Sequence, residues 1–276
     1  MFVKRVISGI VMIAILAACL IPGGYWLAGL LLFCSLTAYR ELMKACHLTK
    51  EEKQNPAKFF TDLEILGYIG IIAYYAIMVF VKEQGWLLTA LFVILILYMF
   101  LYVLTYPKYT ASDIMRSFFC LAYGPLLITF IWMVRDLENG LLFSGMIFIC
   151  SSVADICAYC VGMLIGKHKM APKLSPKKSI EGAIGGVAGS AIVSAVYAHF
   201  LIAPVMAKPG VVWISMIIGA IGALVSMVGD LAASGIKRNE NIKDYGKLIP
   251  GHGGVMDRFD SIIFAAPMIY FLVQLF

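Results

Sequence analysis

"VVWISMIIGAIGALVSMVGDLAA", Val211–Ala233, decides how the rest of the sequence is read. It carries one charge in 23 residues, Asp230, near its C-terminal end. A helix needs about 20 apolar residues to cross the hydrocarbon of a bilayer. This run supplies them without a break. Working outward, runs of the same kind are read at 5–22, 25–44, 63–81, 86–106, 117–134, 142–165, 180–206, 211–233 and 259–276. Gly124-Pro125 interrupts the fifth, which a buried membrane helix tolerates. The glycines of "EGAIGGVAGSA", Glu181–Ala191, follow no strand, so they read as small-residue helix packing rather than a dinucleotide turn.

Composition agrees. The chain has 276 residues, 62% hydrophobic and 14% charged, with a mean hydropathy of +0.91. A soluble domain carries roughly 25% charged residues. The expected fold is an all-α polytopic membrane protein of about nine transmembrane helices, one integral membrane domain overall. Residues 1–150 read as a scaffold of spans with dimer or lipid contacts. Residues 151–276 read as the catalytic region, with two cytoplasmic loops. Lys4, Arg5 and the following apolar stretch imitate a signal peptide, and "LAAC", Leu16–Cys19, resembles a lipoprotein cleavage box. The run continues through Leu20 and Ile21, and another follows Gly24, so an uncleaved first span is expected. Cys157 and Cys160 share a helical face, but no second pair or histidine cluster completes a zinc site. They read as small packing residues.

Lysine and arginine orient the spans. With nine spans, 19 of the 22 basic residues fall on the N-terminal side. Only Lys82, Arg135 and Lys208 fall on the other. The N-terminus is therefore expected inside the cell and the C-terminus on the opposite side of the cell membrane. The loops 166–179 and 234–258 then face the cytoplasm, where the net charge of +6 concentrates. The basic residues flank spans and form no separate domain, which argues against nucleic acid as a partner.

Four clusters carry chemistry. In span six, Asp155 lies roughly 16 Å in from Gly166 at 1.5 Å per residue. An acid near the bilayer centre costs at least ~2.5 kcal/mol unless it faces a partner or water. Asp155 is either a structural acid bonded to a neighbouring helix or, with Tyr159 four residues on, a pocket wall. In "KHKMAPKLSPKKSIEG", Lys167–Gly182, five lysines and His168 crowd one loop, Ser179 can cap the next helix and Glu181 suits its first turn. That loop is either a plain inside-facing loop or a basic lip for phosphate, with Lys167, Lys177, Lys178 and Ser179 at its edge. "SPKK" also fits the acylating-serine pattern SxxK, but the companion motifs are absent. In "GDLAASGIKRNENIKD", Asp230, Ser234 and Lys237 share a helical face if the helix continues, with Arg238, Lys243 and Asp244 following. Finally, "KLIPGHGGVMDRFD", Lys247–Asp260, has Pro250 as a breaker and Gly251, Gly253 and Gly254 to let backbone amides approach a ligand. Asp257 and Asp260 point the same way, and with Asp230 they make an oxygen-rich set of the kind Mg²⁺ uses with substrate phosphates. Arg258 and His252 can meet phosphate oxygens. The competing reading is that these acids cap the last span and pair with Arg258, Lys243 and Lys247.

"SGIKRNENIKDYGKLIPGHGGVMDRFD", Ser234–Asp260, resembles the signature of the phosphatidate cytidylyltransferase family over 27 residues, with every fixed position filled. "GKHK", "SPKKSIEG" and the Gly-Asp-Leu at 229–231 are similar to that family's other motifs. The resemblance covers about 151–276 convincingly. It implies that CTP and phosphatidic acid give CDP-diacylglycerol and pyrophosphate, the first committed step to anionic phospholipids. It also implies a nine-span homodimer, with Mg²⁺ as cofactor and a second cation such as K⁺ admitted. Asp230, Asp257 and Asp260 would be metal ligands. Lys237, Arg238, Lys243, Asp244, His252 and Arg258 would serve catalysis, and Asp155, Tyr159, Lys167, Lys177, Lys178, Ser179, Ser234, Gly253 and Gly254 substrate binding. Two alternatives stand beside it. One is a cytidylyltransferase for another lipid phosphate, of isoprenoid-ether type. The other is a cation-coupled transporter, motivated by Asp155, though no second copy of the Gly-His-Gly-Gly stretch is present.

Overall fold

The computed structural model describes residues 2–49, 60–249 and 251–275. Pro250, read above as a breaker, and Lys50, Lys53 and Lys58 of the charge count lie outside the described residues. In chain order the elements are α1 (Phe2–Leu20), α2 (Gly24–Ala45), α3 (Asp62–Val81), α4 (Gln84–Thr105), α5 (Ala111–Asp136) and α6 (Gly140–Ile165). There follow β1 (Lys169–Ala171), β2 (Ser175–Ser179), α7 (Ile180–Met206), α8 (Val211–Asn239), α9 (Met256–Phe259) and α10 (Ile262–Gln274).

Each apolar run read from the sequence falls on helix. Helices α3 to α8 are long and apolar enough to cross a membrane, while Ile7–Leu20 and Ile262–Gln274 are shorter apolar helices. The chain is thus a helical multi-pass membrane protein. One departure from an all-α reading is small. The loop between α6 and α7 contains an antiparallel two-stranded hairpin, with Lys169 opposite Ser179 and Ala171 opposite Ser175. The helical period stops at Gly166, and the residues between β1 and β2, including Pro172, cannot propagate a helix.

Contacts divide the chain into two compact units. The first is Met1–Trp132 with Ile242–Arg258, and the second is Met133–Asn241 with Phe259–Phe276. In the first unit the apolar interior contains a closed set of hydroxyls. Tyr39 Oη donates to the Leu63 carbonyl at 3.1 Å and lies 3.1 Å from Tyr98 Oη and 3.2 Å from Ser117 Oγ. Each hydroxyl satisfies another, as polar groups buried away from water require. Thr61 caps α3, with its side chain accepting from Glu64 N at 3.2 Å while Glu64 Oε2 accepts from Thr61 N at 2.8 Å. Pro125 does not end α5. It sits in a π-helical turn, Ala122–Leu126, that absorbs the missing amide, and Ser35 Oγ donates to its carbonyl at 3.2 Å.

In the second unit α7 lies between α6 and α8. Small residues permit this. A methyl group on Gly185 would come within 2.5 Å of the Val161 side chain of α6, and Cys157 Sγ occupies the space beside Gly189. All seven cysteines are free thiols, and Cys157 is a packing residue as expected. Helix α8 continues past the expected end at 233 to Asn239, so its last turns carry polar side chains.

Candidate active site

A cavity of about 490 Å³ opens in the second unit, and its walls come from α6, the hairpin, the start of α7 and α8. Helix α6 contributes Asp155 and Tyr159, one turn apart, so the expected pocket wall is present. The hairpin contributes Lys169, Lys177 and Lys178, and α8 contributes Asp230. Ser179, at the junction of β2 and α7, is buried, and its Oγ accepts from Gly182 N at 3.1 Å. It is therefore the N-cap of α7 as well as part of the wall. Lys178 Nζ is buried and forms an ion pair with Asp230 Oδ2. Asp155 lies within electrostatic reach of both. The pocket thus holds two acids near one buried ammonium, with the exposed Lys169 and Lys177 also in its wall.

Glu181 holds the entrance in shape. Its carboxylate accepts from Lys167 N at 3.1 Å and His168 N at 3.2 Å, and its Oε1 lies 2.5 Å from His168 Nδ1. Lys167 does not line the cavity: its backbone bonds Glu181 and its side chain is exposed.

Because α8 is unbroken through Asn239, Ser234 and Lys237 follow Asp230 on one face, as the spacing required. Arg238 is exposed beyond them. Gly229 brings the start of α10 against this helix: a Cβ there would lie 2.7 Å from the Asp260 carbonyl oxygen. The Asp260 main chain therefore lies against α8 at Gly229, and its side-chain Oδ1 accepts from Ser261 N at 2.8 Å.

The other half of the signature belongs to the first unit. Ile249 N donates to the Gly253 carbonyl at 2.9 Å and His252 N to the Ile249 carbonyl at 2.9 Å, closing a tight turn. Gly253 takes φ +86°, a conformation open chiefly to glycine. Asp257 is buried, and its Oδ2 accepts from Tyr245 N at 2.9 Å and Gly254 N at 3.0 Å. The Gly254 amide, expected to face a ligand, is committed to Asp257 instead. Two backbone amides thus hold this carboxylate oxygen. His252 Nδ1 lies 2.8 Å from Ser8 Oγ of α1. Lys243, Asp244 and Arg258 are exposed.

Two contributors escaped the sequence reading. Lys169 was seen only as loop charge, yet it lines the cavity. Glu41 of α2 was passed over between Arg40 and Lys44, yet both of its oxygens bond to the signature: Oε1 accepts from Val255 N at 3.0 Å and Oε2 from Met256 N at 2.8 Å. A carboxylate inside an otherwise apolar span was the available signal.

Among the described residues no group of three or more His, Cys, Asp or Glu is gathered around one point. The acids present are nonetheless of the right kind for Mg²⁺. That ion takes one or two carboxylates and draws its remaining ligands from water and substrate phosphates. Asp230 and Asp260 supply carboxylates of that chemistry.

Apolar helices with a cavity walled by lysines and aspartates define a multi-pass membrane protein equipped for an anionic ligand. The chain belongs to the cytidylyltransferase family, whose model matches residues 3–276. It is 30% identical over 272 residues to a phosphatidate cytidylyltransferase of Staphylococcus saprophyticus, covering 98% of both chains. A phosphatidate cytidylyltransferase of Staphylococcus aureus is 30% identical over 273 residues, again 98% of each. A phosphatidate cytidylyltransferase of Mycobacterium tuberculosis is 38% identical over 173 residues, 61% of this chain and 50% of the relative. The match thus spans about half the length of the mycobacterial relatives, 53% for that of Mycobacterium bovis.

Proposed function

We propose that the protein forms CDP-diacylglycerol and pyrophosphate from CTP and phosphatidic acid, the first committed step to anionic phospholipids. The observation that carries this is the lysine-walled cavity with Asp230 bonded to Lys178, in a chain whose full-length relatives bear the name phosphatidate cytidylyltransferase. A phosphate oxygen of the lipid attacks the α-phosphorus of CTP. A P–O bond forms there, the bond to the β-phosphate bridge breaks, and pyrophosphate leaves with the electron pair. The attacking oxygen is already anionic, so no serine or cysteine nucleophile is needed.

The obstacle is to bring two polyanions together, and positioning with charge neutralisation supplies most of the rate. Lys177 and Lys178 hold the lipid phosphate. Lys237, Arg238, Lys243 and Arg258 offset the triphosphate charge, and His252 meets a phosphate oxygen. Asp230, Asp257 and Asp260 would hold Mg²⁺, which when bound would supply charge neutralisation to the phosphates. Asp155 and Tyr159 shape the pocket below the head group, and acyl chains lie between spans.

The test is purified protein in lipid nanodiscs with labelled CTP and a panel of lipid phosphates, with and without Mg²⁺. Labelled CDP-diacylglycerol appearing only with Mg²⁺ and phosphatidic acid is the expected result. Turnover confined to an isoprenoid-ether phosphate would overturn the acceptor. Cation-driven solute uptake without CTP turnover would overturn the reaction.

The same reading places nine spans in a homodimer, with the N-terminus and the site on the cytoplasmic side. In a cysteine-free background, Lys208→Cys is expected to react with an impermeant maleimide in intact cells. Lys173→Cys is expected to react only after permeabilisation. The reverse pattern would invert the orientation.

A further inference from the structure

We infer that Glu41, on α2, is a positioning residue that sets Asp257 through the main chain of the signature turn. The inference rests on the reading of Asp257 given under the proposed function. Glu41 is 8% exposed. Its two oxygens each accept one of two consecutive amides, Val255 and Met256, the pair that immediately precedes Asp257. Among the described residues its bonded partners are these main-chain donors and not a lysine or arginine. A carboxylate buried near the end of a helix is costly unless such donors compensate it.

The fit is close on both sides. Any side chain at Gly246 or Gly254 would collide with the Glu41 carboxylate. Gly254 then donates to Asp257 Oδ2, so the bonds run from α2 through three successive residues to the acid. A leucine at position 41 would fill the space without holding that register. The acid makes the turn a fixed platform, and it does so from a part of the chain 214 residues away in sequence.

The experiment compares Glu41→Gln, Glu41→Asp and Asp257→Asn in nanodiscs. Readouts are CDP-lipid formation, hydrogen exchange of residues 253–257, and thermal unfolding. Glutamine has one acceptor for two adjacent donors, so one amide is left facing an NH₂ group. Glu41→Gln is expected to lower kcat roughly 10–100-fold, the usual cost of losing a group that orients a ligand. The KM for CTP should change little, and exchange at Val255 and Met256 should rise about tenfold or more. Glu41→Asp keeps both acceptors and should recover part of the rate and of the protection. Unchanged exchange, or a near-normal kcat beside a dead Asp257→Asn, overturns the inference. So does a uniform rise in exchange across the chain with a matching fall in melting temperature, which would make Glu41 a general structural residue. A fully active Asp257→Asn would instead overturn the reading of Asp257, whatever Glu41 does.

Discussion

Asp257→Asn is expected to cut CDP-lipid formation by roughly 10³-fold, the scale of losing a fixed charge-stabilising group at a phosphoryl centre. The protein should still insert and melt near its usual temperature. The reason lies in how Asp257 is held. One oxygen accepts from both Tyr245 N and Gly254 N. Asparagine offers one carbonyl oxygen in the same position, so it can keep both bonds and lose only the charge. Asp257→Ala, by contrast, strands two buried amides, each costing about 1–3 kcal/mol, and should fold poorly. Turnover assays with calorimetry on both variants separate these effects. Near-normal turnover in Asp257→Asn would remove this acid from the metal set.

The second large effect is expected at Asp230. Asp230→Asn should also cost roughly 10³-fold in turnover, because it removes the carboxylate proposed to hold the metal and takes from Lys178 the anion it pairs with. Lys178→Met should cost less, about 10²-fold, as one of several cations around the phosphates. The double variant is the informative one. Groups in direct contact are not additive, so Asp230→Asn with Lys178→Met should be little worse than Asp230→Asn alone. A loss equal to the product of the two single losses would mean that the acid and the lysine act separately.

The sequence made the helices legible because bilayer thickness sets their length and composition together. The run opening at Val211 is apolar for almost its whole extent, and helix follows. Its C-terminal end was less legible. Residues 234–239 include Ser234, Lys237, Arg238 and Asn239, and such polarity alone does not tell a helix leaving the membrane from a loop. The hairpin from Lys169 to Ser179 was missed because its strands are short and its lysines carry no alternation. Within the site, residues adjacent in sequence were readable as clusters. Lys178 and Asp230 are 52 positions apart, and only the fold reveals that they pair. Glu41 was invisible for the same reason, since its partners lie near the far end of the chain. The acids were identified by type, but the bonds that commit Gly254 and Asp257 to each other depend on a left-handed turn at Gly253.

The membership of Ile242–Arg258 in the first unit has a consequence for biosynthesis. The ribosome delivers Glu41 long before the amides that bond to it, 214 residues later. At about 5–20 residues per second, that interval lasts roughly 10–40 s. Throughout it, the nascent first unit carries an uncompensated carboxylate at the membrane boundary and lacks the segment that completes its interior. The first unit is therefore completed only once Ile242–Arg258 has been made.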